Sequence, residues 1–170
     1  AVGAWAGVFA LFIMACLSKP AAIVFPLVLL LVAWYLSKQE GATRETLWAV
    51  AQRNWKWLVP MLCLAAVFAV LTLRYQQHVG AVAVHYSLWH RCLFAAYSLV
   101  VYPVKLFLPF QLAAMHPAPD PTDSLSPILM GAPLMALALL GAAVWAYRKH
   151  STWFFALAFY GLNVLLVLGF

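Results

Sequence analysis

The sequence predicts an all-α fold, a polytopic transmembrane helical bundle. Three observations carry that prediction. Of 170 residues, 67% are hydrophobic and 8% charged, whereas soluble domains carry about 25% charged residues. Runs such as 128–147 have no polar stripe to face water. The ten Lys and Arg residues cluster at the ends of apolar runs, where they anchor helices at headgroup depth. That placement also argues against nucleic acid as the partner of a chain with net charge +6. A β-barrel is excluded because the runs do not alternate polar and apolar residues.

A span needs about 20 mostly apolar residues. Segments 2–17, 21–36, 57–73, 128–147 and 152–170 are read as membrane segments, and 88–108 either spans or re-enters. The whole of 1–170 is one partial transmembrane domain, since the first and last runs meet the chain ends. The expectation is an excised piece of a larger membrane protein. The first run lacks the basic start and small-residue cleavage site of a signal peptide.

The first two runs are divided by Ser18-Lys19-Pro20. Proline suits a first helical turn and pushes the preceding residue out of helical dihedrals. One helix is therefore expected to end near Ser18 and the next to begin at Pro20, with Lys19 at the turn. There the ammonium either snorkels to a membrane face or meets an anion. Pro26 is expected to kink the second run unless a neighbour satisfies the freed carbonyl.

Residues 37–57 mix charge with Trp48, Trp55 and Trp57. Thr43 can cap a short helix with Glu45 in its first turn. Leu47, Val50 and Ala51 share a face, which reads as a short interfacial helix. His78, His85 and His90 follow at spacings that fit no standard zinc pair, so no metal is assigned. Cys16, Cys63 and Cys92 lie in separate apolar segments and read as small buried packing residues.

The stretch 102–127 holds six prolines together with Asp120 and Asp123, half of the acids in the chain. A loop of this kind beside a membrane face is a natural place to build a site. If 88–108 re-enters, Lys38, Arg44, Arg53, Lys56, Arg148 and Lys149 share one side, six cations against four. The positive-inside rule leans that side inward and puts 111–126 outside.

"LSKPAAIVFPLVLLLVAWY", "CLFAAYSLVVYPVKLFLPFQLAAMHPAPD" and "FFALAFYGLNVLLVLGF" occur in that order. Together they resemble the membrane region of bacterial GT-C type glycosyltransferase-like proteins with C-terminal tetratricopeptide repeats. These are relatives of the TMTC and protein O-mannosyltransferase group. The resemblance implies an enzyme of the bacterial inner membrane. It would move a sugar from a lipid-phosphate donor to an acceptor at the outer face. Its catalytic acid would lie in a loop upstream of Ala1, so no catalytic residue is assigned here, and the repeats would follow Phe170. No cofactor is assigned. The alternatives are a non-catalytic membrane scaffold and a transporter; against the latter, the spans hold no acid.

On that reading a lipid-phosphate needs incompletely hydrated cations at helix ends. Lys19, Arg91 and Lys105 qualify by position. His116 can hydrogen-bond phosphate or sugar, Tyr102 can stack on a sugar or line a lipid groove, and Asp120 completes the candidate donor-binding set. Pro103 and Pro109 are expected to break the helix on either side of Lys105.

Overall fold

The computed structural model describes residues 2–41, 45–78, 88–108 and 127–165. Thr43, His85, Pro109, His116, Asp120 and Asp123 lie outside the described residues. Every element described is helical: α1 (Val2–Ser18), a 3₁₀ turn (Pro20–Val24), α2 (Phe25–Gln39), α3 (Leu47–Arg53), α4 (Trp55–His78), α5 (Leu88–Phe107), α6 (Pro127–Lys149) and α7 (Ser151–Leu165).

The Ser-Lys-Pro turn forms where its chemistry requires. The Lys19 N–H closes α1 by donating to the Ala15 carbonyl at 2.8 Å. The Lys19 backbone is extended, with φ −145° and ψ 118°, as Pro20 demands. The next element is not one kinked helix. A 3₁₀ turn runs from Pro20 to Val24, and Pro26 falls at the second position of α2. A proline there loses a hydrogen bond that the helix start would lack anyway. The Ala22 carbonyl, which Pro26 cannot serve, accepts from the Phe25 N–H instead.

Two clusters hold the bundle together. Phe12 and Cys16 of α1 pack with Met61 and Ala65 of α4, and Trp5 stacks on Trp57 at 5.7 Å. These contacts set α1 and α4 running in the same direction. In the second cluster, Leu31 and Trp34 of α2 meet Val50 of α3 and Phe154, Phe155 and Ala158 of α7. Trp34 is its hub and is fully buried. Its ring stacks on Tyr147 of α6 at 5.7 Å and meets the Phe154 edge at 5.1 Å. Its Nε1–H donates to the Glu45 carbonyl at 3.1 Å. Neighbour by neighbour, α5 packs on α6, α6 on α7, α7 on α2, and α2 on α3 and α4.

The short helix begins three residues later than the Thr43 cap requires. Thr46 is the cap, its Oγ1 accepting from the Ala49 N–H at 3.2 Å. Glu45 precedes the helix and pairs with Arg53. Val50 is buried and Leu47 and Ala51 are half-buried, so the shared face exists. It is covered by α2 rather than left open, while Trp48 and Trp55 stay exposed. Of the three cysteines only Cys16 is buried; Cys63 and Cys92 are exposed, which corrects the packing role expected of them.

Three helical stretches are long and apolar enough to cross a membrane among the described residues: Pro20–Gln39, Trp55–His78 and Gly131–Lys149. Only 17–22% of each is buried inside the bundle. Leu71, Leu137, Leu140 and Val144 all face outward. A water-soluble helix turns its apolar stripe inward, whereas these helices turn apolar side chains outward as well, as a protein embedded in lipid does. The chain is an integral membrane protein. The expected five or six segments come down to three by length and composition. Trp5–Ser18 is a shorter apolar helix, α7 is 15 residues over its described length, and α5 carries His90, Arg91 and Lys105.

Candidate functional site

The two ends of the bundle are chemically distinct. The start of α7 meets the end of α2, where the Tyr35 hydroxyl lies 3.4 Å from Thr152 Oγ1. Residues 37–41 and 45–56 therefore share one end with the α6–α7 turn. That end holds Lys38, Arg53, Lys56, Arg148 and Lys149. From there, α2 at 1.5 Å per residue and the 3₁₀ turn at 2.0 Å give a rise of about 30 Å to Lys19. That is about the hydrocarbon thickness of a bilayer. Lys19 is exposed at the opposite end of this stretch.

Four of the six sequence-selected residues are described, and they do not converge. Lys19 sits on a turn packed against α4. Arg91, Tyr102 and Lys105 are all on α5, which packs on α6. At 100° per residue the three lie within about 60° of one another on the helix. Along the axis, however, Arg91 stands about 16 Å from Tyr102, while Tyr102 and Lys105 are one turn apart, about 4.5 Å. One phosphate can meet Tyr102 and Lys105 together, but not Arg91 as well. Arg91 and Lys105 are half-buried and Tyr102 is exposed.

Pro103 does not break α5, which continues to Phe107. It does strip the Leu99 carbonyl of its usual donor four residues on. The freed group is an acceptor, which repels phosphate rather than binding it. Tyr160 of α7 satisfies it, its hydroxyl donating to the Leu99 carbonyl at 2.8 Å. In a bilayer such a group must find a partner, so Pro103 was itself a signal that a donor lay nearby. Tyr160, in the last apolar run, went unselected.

Beside this bond lies a feature that no sequence pattern announced. Val100, Pro103 and Val104 of α5 face Met135, Ala138 and Leu139 of α6 across an apolar groove of about 370 Å³. The proline ring and the small Ala138 leave the gap between the helices. Lys105 follows Val104 on the same turn. It lies about 9 Å along α5 from Leu99, so an outstretched lysine side chain can bring its ammonium toward the headgroup layer.

Among the described residues, no group of three or more His, Cys, Asp or Glu is placed to hold a metal ion. No protein-family model matches the chain, and neither a curated protein nor a solved structure matches it.

Proposed function

We propose that this chain is part of the membrane domain of a GT-C type glycosyltransferase of the bacterial inner membrane. It would transfer a sugar from a lipid-phosphate donor to an acceptor at the outer face. The observation that carries the reading is the apolar α5–α6 groove at Val100, Pro103 and Val104, with Tyr102 and Lys105 one turn apart on the other side of the same last turns of α5. The groove takes a stretch of the lipid chain, and the donor passes round the end of α5, two residues beyond Lys105, so that Lys105 neutralises the phosphate and Tyr102 packs on the sugar. Phosphate pairs well with a cation held out of bulk water. Arg91, too distant for the same phosphate, anchors the far part of α5, and Lys19 anchors the α1 turn.

On this reading α1 and α7 cross alongside the three longer stretches, giving five spans, α5 re-enters from the outer side, and α3 lies at the membrane surface. The end bearing Lys38, Arg53, Lys56, Arg148 and Lys149 faces the cytoplasm by the positive-inside rule. Pro127, at the other end of α6, then lies outside, and His116 and Asp120 precede it in the external loop. The catalytic acid comes from the parent chain upstream.

The test is turnover of a polyprenyl-phosphate sugar by the full-length protein in vesicles. Lys105→Ala should cut turnover at least tenfold, the share of a charge-assisted contact worth about 1.5–3 kcal/mol. Lys105→Arg should retain most of it, because the charge survives. A wild-type protein that leaves the donor untouched would point to the scaffold reading. Wild-type turnover in a folded Lys105→Ala variant would remove α5 from donor chemistry.

A further inference from the structure

We propose that the α6–α7 turn and the end of α2 form a binding site for the headgroup of an anionic phospholipid. The site lies on the opposite end of the bundle from Lys19 and does not depend on the transfer reading.

The fold assembles this corner from separate stretches of chain. Arg148 and Lys149 end α6, and Lys38 ends α2 with its Nζ 5.6 Å from the centre of the Trp34 ring. Trp34 in turn stacks on Tyr147, the residue before Arg148. Lys38 thus lies over one of two stacked rings, and Arg148 and Lys149 follow the other ring directly in the chain. The facing acid on this side is Glu40, at the end of α2; Glu45 already pairs with Arg53. On α7, packed against the same corner, Tyr35 meets Thr152 through their hydroxyls, and the first N–H groups of that helix add positive potential.

Two further observations distinguish a lipid from a soluble anion. Trp145 lies against the His150 ring at 5.1 Å, and both Trp145 and Trp153 are exposed on either side of the turn. Tryptophan in that position sits at headgroup depth. The apolar faces of α6 leading to the turn are also exposed, at Leu137, Leu140 and Val144. An acyl chain running along them delivers its phosphate to Arg148 and Lys149. A soluble anion gains nothing from that apolar approach. Basic corners between helices on the cytoplasmic side are suited to anionic headgroups.

The experiment compares lipid retention by the purified full-length protein. Protein reconstituted with dioleoyl phosphatidylglycerol or dioleoyl phosphatidylcholine is exchanged into detergent, and bound lipid is counted by native mass spectrometry. The expected result is retention of phosphatidylglycerol under washing that removes phosphatidylcholine. Each cation near the surface contributes about fivefold, so Arg148→Gln/Lys149→Gln should weaken retention about thirtyfold. Arg74→Gln, near the far end of α4, should retain it like the unmodified protein. Folding of each variant is read from its unfolding midpoint, and Arg148→Lys, which keeps the charge, should bind like wild type. Equal retention of the two lipids, or full retention by the folded double variant, would overturn the site. Displacement of phosphatidylglycerol by millimolar inorganic phosphate would overturn the lipid as its occupant.

Discussion

Replacing Tyr160 with phenylalanine removes one hydroxyl and leaves the ring. It leaves the Leu99 carbonyl without the donor it meets at 2.8 Å, in a helix where Pro103 has no N–H to offer. Interhelical hydrogen bonds in a bilayer average about 0.6 kcal/mol and reach about 1.7 kcal/mol. The upper half of that range applies here, because a proline has already removed the carbonyl's alternative partner within the helix. Tyr160→Phe should therefore cost about 1–1.7 kcal/mol. Pro103→Ala supplies the missing N–H from within α5. In that background the Tyr160→Phe cost should fall to a few tenths of a kcal/mol, giving a coupling of about 1 kcal/mol in a double-mutant cycle. The assay is reversible unfolding of the full chain in bicelles, with the four variants measured side by side. Equal costs in the proline and alanine backgrounds would refute the claim that Tyr160 serves the carbonyl Pro103 frees.

Trp34→Ala empties a fully buried site and should cost about 3–5 kcal/mol by the same unfolding measurement. Trp34→Phe keeps most of the packing but strands the Glu45 carbonyl, so its cost should be nearer 1 kcal/mol. Thr46→Ala removes the cap of α3 and should cost about 1 kcal/mol, seen as faster hydrogen exchange at the Ala49 amide; unchanged exchange there would show that α3 does not rely on the cap. Arg53→Ala should change stability by less than about 1 kcal/mol, because the Arg53 side chain is 57% exposed; a larger loss would make the Glu45 pair a structural clamp.

The helices were legible wherever composition alone decides them. Apolar runs specify buried or lipid-facing helix, and Ser18-Lys19-Pro20 specified the turn because proline acts on its immediate neighbours. Boundaries that depend on competing caps were less legible. Thr43 and Thr46 are equally good cap residues. Here Thr46 is the one that starts the helix, in the stretch where the Glu45 carbonyl meets Trp34, eleven residues away, and the Glu45 side chain meets Arg53. Pro103 illustrates the same limit. Its missing N–H was legible, but whether the helix would break or recruit a donor depended on Tyr160, 57 residues downstream in another helix. The groove was not legible at all, since it exists only between side chains of α5 and α6. The candidate cations were legible as residue types, but their convergence was not. Helix rise separates Arg91 from Lys105, and chain topology sends Lys19 to a different part of the bundle.

The arrangement of the two ends underlies every functional statement above, and cysteine accessibility tests it directly. The native cysteines, Cys16, Cys63 and Cys92, are first replaced by alanine. Single cysteines are then placed at Lys19 and at Lys149 in the full-length protein, and intact cells are treated with a membrane-impermeant maleimide. The account predicts that Lys19→Cys is labelled from outside, and that Lys149→Cys is labelled only after the membrane is permeabilised. Labelling of both positions from the same side would contradict it.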